Sequence, residues 1–328
     1  MDSLALAAQN LTSPMVLCFA LGMGAALARS DLTVPEAAAK ALSLYLLFAI
    51  GVKGGVSVAS HGADATLFAA LIAGVVLSAA IPLIAFGALR AVSGLSRVDA
   101  AAVAAHYGSI SIVTFVAATS ALSSVGVAYE GYMVAVAAAM EAPAILVGLA
   151  LARGAASAGG AAGPTEEEGG LLREVLLNGS IVLLVGAFFI GVIIGEPGMK
   201  DIEPFVISPF KGVLCLFLLD MGLVAGRGLR SSIGALRPPV IAFGLIMPYI
   251  GAALGLICAQ IIGLSAGGAA LLATLCASAS YIAVPAALRV ALPEANPSIY
   301  LTLSLGVTFP MNLVIGIPIY IAAAQALA

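Results

Sequence analysis

Apolar runs long enough to cross a bilayer, with charged residues gathered at their ends, recur along the whole 328-residue chain. A crossing helix needs about 20 apolar residues. Read between charged or Gly/Pro punctuation, the runs fall at 13–28, 36–60, 66–90, 99–121 and 129–152, then at 174–195, 204–226, 238–261, 268–291 and 299–325. Lipid offers the backbone no hydrogen-bond partners, so runs of this length must become helices. The fold class expected is an all-α polytopic membrane protein of ten transmembrane helices. Only 9% of residues are charged, against about 25% in ordinary soluble domains. This excludes a soluble enzyme, a disordered chain and, with a formal charge of −3, a nucleic-acid binder. Cys18, Cys215, Cys258 and Cys276 lie inside apolar runs without a CxxC pair, and read as small buried hydrophobes. Asp2 and the lack of Lys or Arg before the first run leave no basic n-region, so the first span is expected to be retained.

The organisation expected is a first five-helix repeat over 1–153, a linker over 154–173, and a second five-helix repeat over 174–328. The linker contains Gly154–Gly170, rich in Gly, Ala and Ser, with the acidic run Glu166-Glu167-Glu168; it reads as a solvated connection. Arg29, Arg90, Arg97, Arg153, Arg173, Arg227, Arg230, Arg237 and Arg289 fall at the same ends of alternating spans. The positive-inside rule then places the linker in the cytoplasm and both termini in the periplasm, in an inner (plasma) membrane. Gly94-Leu95-Ser96 recurs as Gly263-Leu264-Ser265 at a shift of 169, which also lays Ser109 and Ser111 on Ser278 and Ser280. A shift of 171 lays Gly51 on Gly222, Tyr129 on Tyr300, and Met140-Glu141 on Met311-Asn312. Repeats with an odd number of spans must be inverted, a signature of secondary transporters.

Two spans are poor continuous helices. The fourth carries His106-Tyr107-Gly108-Ser109-Ile110-Ser111 and then Thr114; its repeat partner, the ninth, carries Ala277-Ser278-Ala279-Ser280-Tyr281 and then Pro285. Gly, clustered Ser and Pro at mid-span free backbone groups that only protein or water can satisfy. Inversion would aim the two post-break half-helices at each other, making an anion site of N–H groups and hydroxyls. The ordinary alternative is that these serines bond one turn back within unbroken helices. Ionisable residues inside spans come next, because burying them is expensive. Glu141 lies mid-span with Asn312 at its repeat position. These two, with Thr308 and broken backbone, could offer oxygens to a cation, although a structural ion pair or a protonated Glu141 fits equally. Lys53 and Asp220 are candidates for gating or structural charges, and Lys53 also has the reach to snorkel. His106 is a proton relay or a packing group. His61 lies in a loop, so no histidine cluster can form a metal site. HExxH and Walker patterns are absent; the chain is not expected to be an enzyme or to bind a cofactor.

Ala295-Asn296-Pro297-Ser298, followed by Tyr300, Pro310 and Pro318, resembles the last spans of the SbtA-type sodium-dependent bicarbonate transporters. So do Pro35-Glu36-Ala37, Ile50-Gly51 and Gly54-Gly55, and in the fifth span Tyr129-Glu130, Met140, Pro143 and Ala144, with Glu141 where the family has Asp. The resemblance covers nearly the whole chain apart from a shorter linker. It implies ten helices arranged as gate and core domains, a homotrimer, movement of core against gate, and bicarbonate held between the broken helices with sodium close by. It carries Gly108, Ser111 and Thr114 into the first site segment, and Ala277, Ser278, Ser280, Pro285, Leu288 and Arg289 into the second. Tyr281 replaces the family Asp, Val284-Pro285-Ala286 replaces Gly-Pro-Pro, and Ile112-Val113 replaces Gly-Ser. Lys53 stands one turn beyond the family lysine position, which is Ala49 here. Cyanobacterial family members associate with a P-II-like regulatory protein.

The function expected is import of bicarbonate with sodium as co-substrate. The anion is assigned to Gly108, Ser109, Ser111, Thr114, Ser278, Ser280 and Tyr281, and the cation to Glu141, Thr308 and Asn312. Two alternatives stay open: a sodium- or proton-coupled transporter of another small anion such as a carboxylate, and a non-transporting membrane sensor.

Overall fold

The computed structural model describes residues 12–61, 65–153, 179–232 and 236–328. The expected linker, 154–173, and the start of the sixth run lie outside the described residues. The helices are α1 (Pro14–Leu27), α2 (Glu36–His61), α3 (Ala65–Val92), α4 (Arg97–Gly108), α5 (Ile112–Ser124), α6 (Met133–Ala139) and α7 (Glu141–Arg153). They continue as α8 (Gly179–Val206), α9 (Phe210–Ser232), α10 (Pro238–Ile262), α11 (Ala266–Ala277) and α12 (Ala283–Ala291). The final rod runs through α13 (Pro297–Leu301), α14 (Phe309–Met311) and α15 (Ile317–Leu327). Among the described residues, with the segments of each broken span taken together, eight helices are long and apolar enough to cross a membrane; Pro14–Leu27 and Ala266–Ala277 are apolar but shorter. The chain is therefore a polytopic all-helical membrane protein.

The tripeptide that repeats has a structural reason. Gly94 and Gly263 take left-handed backbone, φ 65° and 81°, which glycine adopts without cost. Ser96 and Ser265 then cap α4 and α11, accepting from the amides of Asp99 and Gly268 at 3.0 and 3.1 Å. One helix stops and the next starts after four residues in the first half and three in the second. Gly195 (φ 56°) kinks α8 ahead of Pro197. In the last rod Pro310 and Pro318 cannot donate to the helical ladder, and the wider π turns at Thr302–Thr308 and Asn312–Gly316 flank them.

Four helices form two tight crossings. α2 packs on α8, and α1 on α9. A Cβ on Gly55 would lie 1.9 Å from the Phe188 carbonyl oxygen, and one on Gly191 would lie 2.2 Å from that of Val52. Gly22 and Gly222 do the same work in the other crossing, against the Leu219 and Phe19 carbonyl oxygens at 2.0 and 2.1 Å. Small residues four apart let helix backbones touch where no hydrophobic effect drives them together. Gly51 and Gly55 on α2 stand 171 residues before Gly222 and Gly226 on α9, so the spacing recurs in both crossings. The remaining helices surround α4 and α5, whose apolar stretch is wholly buried. α3 packs on α4 and α4 on α7, while α10 packs on α11 and α11 on α15. Ile72, Ile193, Ile257 and Ile261 stay exposed on the outer faces, as lipid-facing positions do.

Candidate functional site

The two interrupted spans meet at their breaks. α4 ends at Ser109 (φ −86°, ψ 160°) and α11 at Ser278 (φ −83°, ψ 161°), so each chain leaves its helix extended with nearly the same geometry. Ser111 restarts the first span as the N-cap of α5, its hydroxyl accepting from the Thr114 amide at 3.2 Å. In the second, the Ser280 hydroxyl accepts from the Val284 amide at 3.5 Å. The breaks are then stitched across. The Ser280 amide donates to the His106 carbonyl (2.8 Å), and the Ser111 amide donates to the Ser278 hydroxyl (2.9 Å). Ser278 in turn donates to the Leu275 carbonyl at 2.8 Å. The stitch thereby pairs the Ser280 and Ser111 amides and the His106 and Leu275 carbonyls.

Beside the stitch is a small cavity of about 10 Å³, lined by Ser111, Glu141, Ser280, Tyr281 and apolar neighbours. That is room for about one water-sized sphere. Two polar atoms at the lining have no partner: Glu141 Oε2 and the Tyr281 hydroxyl. The Ser111 hydroxyl adjoins Tyr281 without hydrogen-bonding geometry. Glu141 is positioned at the first residue of α7, after Met140, whose carbonyl accepts the Ser78 hydroxyl from α3. Tyr281 packs edge-on against Phe309, ring centroids 5.5 Å apart.

Tyr281 and Ile282 also line a second, open space of about 830 Å³, bounded by the last turns of α9 and by α13 and its π turn. Both residues thus border this vestibule and the small cavity. Arg227 and Arg230 stand in the vestibule wall, donating to the Leu32 and Ala26 carbonyls at 2.9 Å each. At the other end of α9, a cavity of about 360 Å³ is lined by Lys53, Ser57, Thr119, Ser120 and Lys211 but does not reach the breaks.

Of the residues singled out in the sequence, Ser111, Ser280, Tyr281 and Glu141 share one cavity, which joins the anion candidates to one cation candidate. Ser278 and Thr114 act in the stitch and the cap. Gly108 is required for packing: a Cβ there would fall 2.2 Å from the Pro82 ring. The Ser109 hydroxyl is buried without a partner. Asn312 and Thr308 are engaged elsewhere. Asn312 donates to the Ala277 carbonyl, at the end of α11, and accepts from Tyr320, both at 2.8 Å. Thr308 donates to the Gly244 carbonyl at 2.8 Å and bonds Tyr107. His106 lies fully buried, its Nδ1 donating to the Ala102 carbonyl (2.7 Å), its ring stacked on Tyr300 at 4.5 Å, and its Nε2 unpartnered. Asp220 is buried on α9 and feels the charge of Arg227. Lys53 lies over the Phe210 ring at 5.2 Å. Among the described residues no group of three His, Cys, Asp or Glu could hold a metal ion. Sequence reasoning missed Ser78, Tyr107, Lys211 and Tyr320; single polar residues in apolar runs are their only signal.

Helices broken at depth and stitched through their breaks, inside a wall of lipid-facing helices, define a polytopic membrane protein built around a polar centre. The chain belongs to the Na+-dependent bicarbonate transporter superfamily, whose family model matches residues 14–325. No individually curated protein matches it.

Proposed function

We propose that the chain is a secondary active transporter that imports bicarbonate with sodium across the inner membrane, and that the anion binds between the two breaks. The observation that carries this reading is the pair of breaks with one backbone geometry, stitched to each other beside a cavity with unpartnered polar atoms. Buried polar groups without partners are costly, and a ligand that hydrogen-bonds them recovers that cost. The Tyr281 hydroxyl and the Ser111 and Ser280 hydroxyls can donate to an oxyanion, and the first amides of α5 and α12 add their positive dipole ends. Glu141 supplies the hard oxygen that sodium prefers. In this reading Tyr281 and Ile282 move aside to join the cavity to the vestibule.

Ten crossings in two inverted repeats of five fit the matching pairs of contacts: α2 on α8 with α1 on α9, α3 on α4 with α10 on α11, and α4 on α7 with α11 on α15. The four glycine-crossed helices then act as the gate and the others as the core. In this reading the arginines lie on the cytoplasmic side, the vestibule with them, and the conformation is inward-facing. A homotrimer and a P-II-like partner at the linker belong to the same proposal. The test is uptake of labelled bicarbonate into proteoliposomes with and without an inward sodium gradient; equal rates would reject sodium coupling. Proton coupling is the second reading, favoured by Glu141 being the acid at the cavity. Uptake driven by a pH gradient without sodium would establish it.

A further inference from the structure

The 360 Å³ cavity at the opposite end of α9 from the arginines has a charge pattern unlike the vestibule's. Lys53, from the second half of α2, and Lys211, from the first turn of α9, both line it, and no Asp or Glu does. The Lys211 ammonium is close enough for its charge to act on Lys53. Among the described residues neither has a carboxylate partner or a carbonyl to cap, whereas Arg227 and Arg230 each satisfy a backbone oxygen. Lys53 has only the face of Phe210. A third observation is independent of charge. Ser120 lines the cavity, is 3% exposed, and its hydroxyl has no partner. Thr119 and Ser123, its neighbours on α5, spend their hydroxyls on backbone carbonyls. Lys211 is exposed and Lys53 half-buried, so water reaches the pair; two like charges at one cavity, with a buried donor unspent beside them, favour an anion there.

We propose that Lys53, Lys211 and Ser120 form a second anion site, which holds a small singly charged inorganic oxyanion in the cavity remote from the vestibule. The site is separate from the space between the breaks. Lys211 and Arg227 are sixteen residues apart on α9, about 24 Å at helical rise, so the two cavities open at opposite ends of the crossing. Positive charge focused in a cleft raises the local anion concentration and the rate of capture.

The test uses the full chain in phosphatidylcholine proteoliposomes, with nitrate as an unreactive planar oxyanion and gluconate as the balancing anion at constant ionic strength. A water-soluble amine reagent is applied and modification is read by peptide mass spectrometry, with the exposed Lys40 and Lys200 as internal controls. Nitrate should slow modification of Lys53 and Lys211 several-fold without sodium, leaving the controls unchanged. Ser120→Ala should weaken that protection, and Lys53→Gln should abolish it at Lys211 while Lys53→Arg keeps it. Equal protection of all four lysines, or none, overturns the proposal. So does protection that comes from phosphatidylglycerol in the vesicles rather than from nitrate, which would make the occupant a lipid headgroup. A second arm rests on the transport reading: Lys53→Gln should raise the KM for bicarbonate about tenfold at low salt with kcat unchanged, the difference shrinking as salt rises. If bicarbonate is not transported at all, the protection arm still decides this site.

Discussion

Replacing Tyr281 with Phe separates a ligand group from a structural one, because the two roles predict opposite signs. The hydroxyl is buried and unpartnered, and the ring packs on Phe309. Phenylalanine keeps that packing and removes only the hydroxyl. Leaving a buried polar group unsatisfied costs about 1–3 kcal/mol, so without ligand the Tyr281→Phe protein should be as stable as the parent or more stable by about 1 kcal/mol. With an anion bound, the same change deletes a hydrogen bond to a charged group, worth about 1.5–3 kcal/mol, or roughly ten- to a hundredfold in affinity. Thermal unfolding of the purified protein, with and without sodium bicarbonate, reads both terms, since a ligand that binds only the folded state raises Tm. The expected result is an unchanged or higher Tm without bicarbonate and a much smaller rise on adding it, together with a raised KM for uptake. A lower Tm without ligand, or a parent-like rise with it, would refute the placement of the anion against Tyr281.

Ser278→Ala should behave in the contrary way, losing about 1–3 kcal/mol of stability because the Ser111 amide would be left buried without its acceptor; parent-like unfolding would remove Ser278 from the stitch. Glu141→Gln should raise the sodium concentration needed for half-maximal uptake more than the bicarbonate KM, and an unchanged sodium dependence would take Glu141 out of cation binding. Asn312→Ala should act on stability, through the Ala277 carbonyl and Tyr320, and a selective sodium defect with normal Tm would assign it to the cation instead. Gly222→Ala puts a methyl 2.1 Å from the Phe19 carbonyl oxygen, and overpacking of this kind costs about 1–3 kcal/mol, so a lower Tm is expected while Gly228→Ala, with open space at its Cβ, leaves it unchanged. A cysteine placed in 154–173 should resist an impermeant thiol reagent in intact cells, and ready labelling would invert the proposed topology.

The sequence by itself determined where helices run and where they fail. Apolar runs with charged ends admit one solution in lipid, and Gly-Leu-Ser marks a stop and a start in each half because left-handed glycine and a serine cap have few substitutes. The clustered serines at 109–111 and 278–280 announced the two breaks, where each chain leaves its helix extended at Ser109 and Ser278. Which serine does what was decided only in three dimensions. Ser278 and Ser280 read alike along the chain, yet the Ser278 hydroxyl stitches the breaks while the Ser280 hydroxyl caps the restarted helix beside the cavity, since that depends on which backbone amide each meets. The repeat equivalence of Glu141 and Asn312 suggested a shared cation site. In the fold Asn312 is saturated by Ala277 and Tyr320, while Glu141 keeps an oxygen free beside Tyr281. Long-range pairing also made Lys53 and Lys211, 158 residues apart in the sequence, neighbours over one cavity. No local pattern encodes such a meeting, because it follows from how the glycine crossings set α2 and α9 within the same wall.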